Sequence, residues 1–263
     1  MESMVSQTDE RTISVHNEHE FLLKVEKAGL TDELAQRVID SKGNDLATKV
    51  VRLIQNAGFE PTTSQKRSRE IMGRNFFGVE EATKCFGVNP TRQQLVALSE
   101  IPFSEAVLEQ SKDTHVLVAV FPLSILEIRG KVEYQLFYSH EDAWYNKQSF
   151  AKERGEASWQ LVCKTSVINS TSKNWQEQQA LLGDDDEVPS ARVMVYTIIG
   201  LYMATGERLF ESVYVRTSSV YSDGSHVRTG DFDSEGLDVD YGWDGFGDGY
   251  IGLASSRKVQ SQG

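Results

Sequence analysis

The sequence predicts an α+β protein in which an N-terminal helical region precedes a strand-bearing C-terminal domain. Three observations predict it. Apolar residues over 18–57 recur at three- and four-residue steps, as one face of a helix requires. From Thr114 the period changes to that of strands, in a run rich in β-branched residues. Residues 218–256 then contain no Lys, Gln, Asn, Met, Pro or Cys, and the apolar residues among them alternate as hairpin arms do.

Residues 1–16 are polar and are expected to fray. Helical spacing follows in Phe21, Leu22, Val25 and Leu30, then in Leu34, Val38 and Ile39, and again in Leu46, Val50, Val51 and Ile54. Gly29 reads as a C-cap and Thr31 as the next N-cap. The run Ser41-Lys42-Gly43-Asn44-Asp45 breaks the second helix, and Gly58 ends the third. Residues 62–74 form a basic link with Lys66, Arg67, Arg69 and Arg74, expected to be a solvated helix face. Short helices are expected over 79–86, 91–99 and 104–110, with Pro90 beside the second start.

Residues 115–121 read as a buried strand and 157–165 as another, with Trp159, Leu161, Cys163 and Val167 on one side. A helix over 171–182 with Ser172 as cap comes next, then an acidic loop at 184–187. A long helix over 189–205 carries a stripe of Val193, Tyr196, Ile199 and Met203, and Gly206 ends it. Residues 209–215 read as strand. Residues 227–232 and 237–241 are arms around the turn Asp233-Ser234-Glu235-Gly236, and 251–259 is the last strand. The expected division is a helical region over 1–110 and a ligand-binding domain over 111–263.

Composition excludes some classes. A formal net charge of -12 opposes general nucleic-acid binding and docking on anionic membrane. No apolar run approaches the roughly 20 residues of a membrane span. The first six residues lack the basic and apolar regions of a secretory signal. Cys85 and Cys163 fall in unrelated segments and read as buried free thiols in a reducing compartment. The expected location is therefore cytoplasmic, with surface display through a partner left open.

Enzyme motifs are sparse. Asp231-Phe232-Asp233-Ser234-Glu235-Gly236 matches the start of a calcium loop, but position twelve falls on Gly242 where a bidentate Glu is needed. A solvated acidic hairpin is the expectation, with no metal and no cofactor. The five histidines are scattered, and no Gly-x-Ser-x-Gly or phosphate-binding loop occurs. Gly245-Phe246-Gly247 lacks the strand-to-helix context of a dinucleotide fingerprint. The mixture of Tyr, Ser, Gly and Asp is instead that of recognition loops, where Tyr supplies contact area and small polar residues supply adaptable hydrogen bonds. Tyr221, Tyr241, Phe246 and Tyr250 are the expected anchors, and Trp243 is expected to be a structural pin.

The order of elements from residue 157, with the close Tyr250-Ile251-Gly252-Leu253-Ala254-Ser255-Ser256-Arg257, resembles the end of the C-type lectin fold. The nearer likeness is to its formylglycine-generating-enzyme type, which serves as the variable protein of diversity-generating retroelements. In that family an Ile/Leu-Gly-Phe-Arg strand closes the domain, and here Leu253 takes the aromatic place. Adenine-directed mutation of Asn-type codons yields mainly Tyr, Ser, Asp, His, Gly, Arg, Thr and Phe. Apart from its aliphatic residues and Trp243, the segment 218–256 matches that set, Glu235 excepted. The resemblance implies a framework of Val227, Gly230, Phe232, Gly236, Leu237, Val239, Trp243, Gly252, Leu253 and Ala254. It implies a diversified, ligand-binding set of Tyr221, Ser225, His226, Arg228, Asp231, Asp240, Tyr241, Gly242, Gly245, Phe246, Asp248 and Tyr250.

Two departures matter. Thr217-Ser218-Ser219 stands where the family has Gly-Gly-Ser-Trp, and the catalytic cysteines of formylglycine generation have no counterpart. The implied function is therefore non-enzymatic binding of a protein ligand, with a basic epitope favoured by the seven acids between 231 and 248. Oligomerisation through the helical region is a further expectation. Two other classes stay open: a metal-assisted hydrolase using the acidic hairpin, and an assembly protein of a phage or surface complex.

Overall fold

The structure, a computed structural model, describes residues 12–55 and 59–259. The chain forms two compact units, Met1–Gln55 and Asn56–Gly263. Most of the N-terminal segment expected to fray, and the helix end expected at Gly58, lie outside the described residues.

The first unit holds α1 (Val15–Lys27), α2 (Asp32–Ile39) and α3 (Asp45–Gln55). Ser14 Oγ caps α1 by accepting from Asn17 N at 3.2 Å, and Thr31 Oγ1 caps α2 by accepting from Leu34 N at 3.3 Å. Gly29 follows the end of α1, its N–H donating to Glu26 O at 2.9 Å. Among the described residues of this unit none is buried.

The second unit begins with α4 (Thr63–Met72), β1 (Phe76–Phe77), α5 (Val79–Phe86), α6 (Arg92–Ala97) and α7 (Glu105–Ser111). These segments belong to the C-terminal fold, so the units divide at 55/56 and not at the expected 110/111. The reason is packing: β1 pairs in parallel with Leu117 and Val118, and Phe86 lies 4.6 Å from Tyr196 between ring centroids. The basic face of α4 is tied down as well. Arg69 pairs with Glu81 at 2.6 Å and Glu80 at 3.0 Å, and Arg67 reaches Glu105 at 3.1 Å.

Then come β2 (His115–Val120), α8 (Ile125–Lys131), α9 (Ser149–Lys152), β3 (Ser158–Cys163), α10 (Trp175–Gln179), β4 (Asp186–Glu187) and α11 (Ala191–Thr205). The chain closes with β5 (Tyr214–Val220), β6 (His226–Asp233), β7 (Gly236–Tyr241), β8 (Ile251–Leu253) and β9 (Ser256–Arg257). One sheet has the order β1-β2-β3-β9-β4 and the other β7-β6-β5-β8. Helix α11 packs against elements of both, and every residue from Ala191 to Leu201 is buried. The stripe expected on it was too narrow, because the helix is covered on all sides.

Four expectations are corrected. The helix expected over 171–182 shrinks to α10 with Asn174 as its cap, since Ser172 sits at φ +59 and donates its N–H to Asp248 O at 2.7 Å. The strand expected over 209–215 starts only at Tyr214, because Leu209 and Phe210 fold inward and Phe210 O accepts from Phe232 N. The acidic loop at 184–187 contributes Asp186 and Glu187 to a sheet edge beside β9. The single last strand is two. Its first part runs parallel to β5, and its second pairs antiparallel with β3 and β4. Ala254 N donates to Arg216 O at 3.0 Å and Ser255 O accepts from Cys163 N at 2.9 Å, so this short stretch fastens one sheet to the other.

Candidate recognition surface

The alternation of β5, β6 and β7 decides which residues face outward. Val215, Val227, Thr229, Phe232, Leu237 and Val239 are buried against the core. In register on the opposite face lie Tyr214 beside Gly230, Arg216 beside Arg228, and Asp240 and Asp238 beside Arg228 and Gly230. Gly230 is required for close approach. It sits at φ +145, and a Cβ there would stand 2.1 Å from Val213 O. Residues 242–250 cross this outer face before β8.

A buried arginine fastens that crossing. Arg216 is 1% exposed, and its guanidinium donates to Gln178 Oε1 at 2.9 Å, Lys173 O at 3.1 Å, Phe246 O at 2.6 Å and Trp243 O at 3.5 Å. Gln178 is itself fully buried and donates to Ser170 O and Ile251 O at 2.9 and 3.0 Å. Burial pushes the Arg216 guanidinium below its usual range while the Asp244 charge opposes the shift. The loop therefore hangs by its carbonyls from a planar fork of donors, which leaves its side chains free to point away. Sequence reasoning passed over Arg216. The available signal was a lone charge within Val215-Arg216-Thr217, a strand run otherwise suited to burial.

Three further contacts brace the face. His226 Nδ1 lies 2.6 Å from Asp244 Oδ2, Asp244 Oδ1 accepts from His226 N at 3.0 Å, and the imidazole stacks on Trp175 at 3.6 Å. Arg228 is paired with Asp240 and lies 4.9 Å over the Tyr214 ring. Tyr241 stacks on Tyr221 at 4.3 Å, and both pack on Trp144, whose Nε1 donates to Val239 O at 2.9 Å. Trp144 and Trp175 are supports that the sequence alone did not single out.

Burial separates the two sets of residues expected from the sequence. Nine of the ten framework positions are buried, from Val227 through Ala254. None of the twelve ligand-binding positions is buried. Asp231, Gly245, Phe246 and Tyr250 are exposed, and Tyr221, Ser225, His226, Arg228, Asp240, Tyr241, Gly242 and Asp248 are half-buried. The exception is Trp243, expected as a structural pin and found 74% exposed. Arg216 holds the loop chiefly by the nearby Phe246 carbonyl at 2.6 Å, and the Trp243 indole is displayed. Phe246 and Tyr250 stand beside it in the same loop at 54% and 49% exposure.

Next to Tyr250, at 6.3 Å between ring centroids, Tyr214 lines an open recess of about 230 Å³ together with Tyr138, Asp231, Asp233, Glu235, Gly236 and Asp238. Tyr214 Oη donates to Asp238 Oδ2 at 2.8 Å. Burial raises the Asp238 carboxyl above its usual range, and the neighbouring Asp240 and Asp231 charges add to the shift. Burial and the Asp238 carboxylate likewise push the Tyr214 hydroxyl up.

No protein-family model, no curated protein and no solved structure matches this chain.

Among the described residues no three His, Cys, Asp or Glu side chains converge as a metal ligand set. The acidic turn is flanked by strands and not by the helices of a calcium-binding hand. The His226–Asp244 pair has the orientation step of a catalytic dyad, but among the described residues no hydroxyl or thiol is hydrogen-bonded to the ring. Both cysteines are free and half-buried, less enclosed than expected, and burial raises the Cys85 thiol, which disfavours the nucleophilic thiolate. Among the described residues no helix is long and apolar enough to cross a membrane.

Proposed function

We propose that this protein is a non-enzymatic binding protein whose C-terminal unit presents residues 221–250 to a protein ligand. The observation that carries the reading is the display of Trp243, Phe246 and Tyr250 on a loop held from beneath by buried Arg216. Three large aromatic side chains in water are a standing cost unless a partner covers them, and rigid aromatics are favoured anchors of interfaces. The half-buried Tyr, Ser, His, Arg and Asp side chains around them supply a polar rim. The acids of the adjacent recess favour a ligand epitope carrying Lys or Arg.

The finer fold in this proposal is the C-type-lectin-like one of the formylglycine-generating-enzyme type. Supporting it are the order of elements from β3 onward, and β8, which returns parallel to β5 after the displayed loop. The proposal includes an origin in a diversity-generating retroelement. The restricted alphabet of 218–256 supports it, because the twelve positions assigned to diversification are all unburied while Val227, Leu237, Val239, Ile251, Leu253 and Ala254 fall inside.

Photo-crosslinking tests the binding reading. A benzophenone side chain at position 246, in extracts of the native host, is expected to give a discrete adduct with one protein. The same group at Val96, on α6 and 66% exposed, is expected not to. Equal labelling at both positions, or none at 246, refutes the surface. The retroelement origin is tested separately by the flanking DNA, where a reverse-transcriptase gene and an adenine-mutated copy of the segment encoding 218–256 are expected.

A further inference from the structure

The first unit poses a problem that its own residues do not solve. Helices α1, α2 and α3 each have helical apolar spacing, yet among the described residues of the unit none is buried. Ile39 is 73% exposed, Ile54 59%, Val51 53% and Phe21 47%, and Leu22, Leu34, Leu46 and Val50 each leave about two-fifths of their surface in water. Leu46, Val50 and Ile54 stand four residues apart and form one continuous stripe along α3. Together the exposed apolar side chains of residues 13–54 leave on the order of 1,000 Å² uncovered, at or above the roughly 800 Å² that each partner of a standard protein–protein interface buries. A unit this small is also near the limit at which a chain can enclose a core by itself.

Charge selects the occupant. Residues 12–55 hold seven acids and six bases, a net of -1 in a chain of net charge -12. Both signs are interspersed, as in Glu33–Arg37 and Asp45–Lys49, each pair at 2.7 Å. Such a surface has no single-signed field to attract a nucleic acid or an anionic membrane. Little like-charge repulsion therefore opposes the approach of a second copy of these three helices. We propose that α1, α2 and α3 form a self-association module, their apolar faces packing against the same faces of a second copy of this chain. A two-fold arrangement of that kind buries one stripe against another and closes on itself. The consequence is a particle bearing two recognition surfaces, which strengthens attachment to a repeated or oligomeric ligand through effective concentration. The inference is independent of the binding reading, since it rests on the other unit.

Sedimentation of the full chain tests it. The wild-type protein is expected to be a dimer or larger at about 10 µM, and the double variant Ile39→Glu, Ile54→Glu is expected to weaken association at least tenfold. Both side chains are largely in water, so helical circular dichroism is expected to be unchanged. If that variant loses helicity, the milder Ile39→Gln and Ile54→Gln variants carry the test with the same expectation. The variant Phe246→Ala, Tyr250→Ala is expected to leave association intact. A wild-type monomer up to about 100 µM overturns the proposal, as does undiminished association of the helical variants. Dissociation caused by the Phe246 and Tyr250 changes also overturns it, by moving the contact to the recognition surface.

Discussion

Replacing Arg216 by Met is the most informative single perturbation of the second unit. Met keeps much of the aliphatic length and removes every donor. The loss exposes no charge, but it leaves Gln178 Oε1 and three backbone carbonyls without their partner. The contact to Trp243 O at 3.5 Å is weak and the Trp243 and Phe246 carbonyls can be rehydrated at the surface, so the four do not count equally. Three firm bonds from a charged donor, partly offset by the relief of burying a guanidinium, correspond to about 3–5 kcal/mol of lost stability. For a domain of this size that lowers the melting temperature by roughly 6–20 °C. Urea unfolding measures it, provided the slope is unchanged. Hydrogen exchange adds the local test: the amides of His226 and Trp175, which bond to Asp244, are expected to lose protection beyond the global change. Arg216→Lys is expected to recover part of the loss, since one ammonium cannot span Gln178 and Phe246 as the fork does. A loss below about 1 kcal/mol with loop protection intact refutes the claim that Arg216 holds the displayed loop.

Three further outcomes follow from the same geometry. Gly230→Ala is expected to cost about 3 kcal/mol or more, because the added Cβ meets Val213 O, while Gly224→Ala, at φ +92 in open space, costs only about 1 kcal/mol; paired urea midpoints compare them. The variant Trp243→Ala, Phe246→Ala, Tyr250→Ala is expected to stay within about 1 kcal/mol of the wild type in the same assay, yet to lose the adduct expected from a benzophenone placed at position 138 in the recess. Asp238 has a folded pKa above its unfolded value, so it costs stability as pH rises between the two and nothing below about 3.9. Asp238→Asn is therefore expected to gain on the wild type as pH rises through that window, and a difference constant with pH contradicts the assignment.

The features legible in the sequence are those that local physics controls. Thr31 caps α2 because a short hydroxyl before an amphipathic run does so almost anywhere, and residues 79–86 form α5 within the same bounds as expected. The hairpin of β6 and β7 was visible because Val227 and Thr229 in one arm and Leu237 and Val239 in the other alternate with polar residues, and Gly236 marks its turn where a Cβ would stand 2.6 Å from Phe137 C. The illegible features depend on distant partners. Trp243 reads as core from its type alone. It is displayed on a loop that Arg216, distant in sequence, holds chiefly through the Phe246 carbonyl. The helix expected over 171–182 is shortened by the bond of Ser172 to Asp248, and the last strand is divided because two different sheets compete for it. The division of units was misplaced for a related reason: α4 to α7 look like the preceding helices in sequence, and only Phe76, Phe77 and Phe86 reveal that they close the C-terminal core.

Residues 214–256 divide into a buried scaffold and a displayed set. A saturation scan of that segment, read by resistance of the folded protein to protease, measures that division position by position. Broad tolerance is expected at Trp243, Gly245, Phe246 and Tyr250, and intolerance at Arg216, Val227, Gly230, Phe232, Gly236, Leu237, Val239, Gly252 and Leu253. Intolerance at the exposed aromatics as strict as that at Phe232 or Leu253 contradicts it.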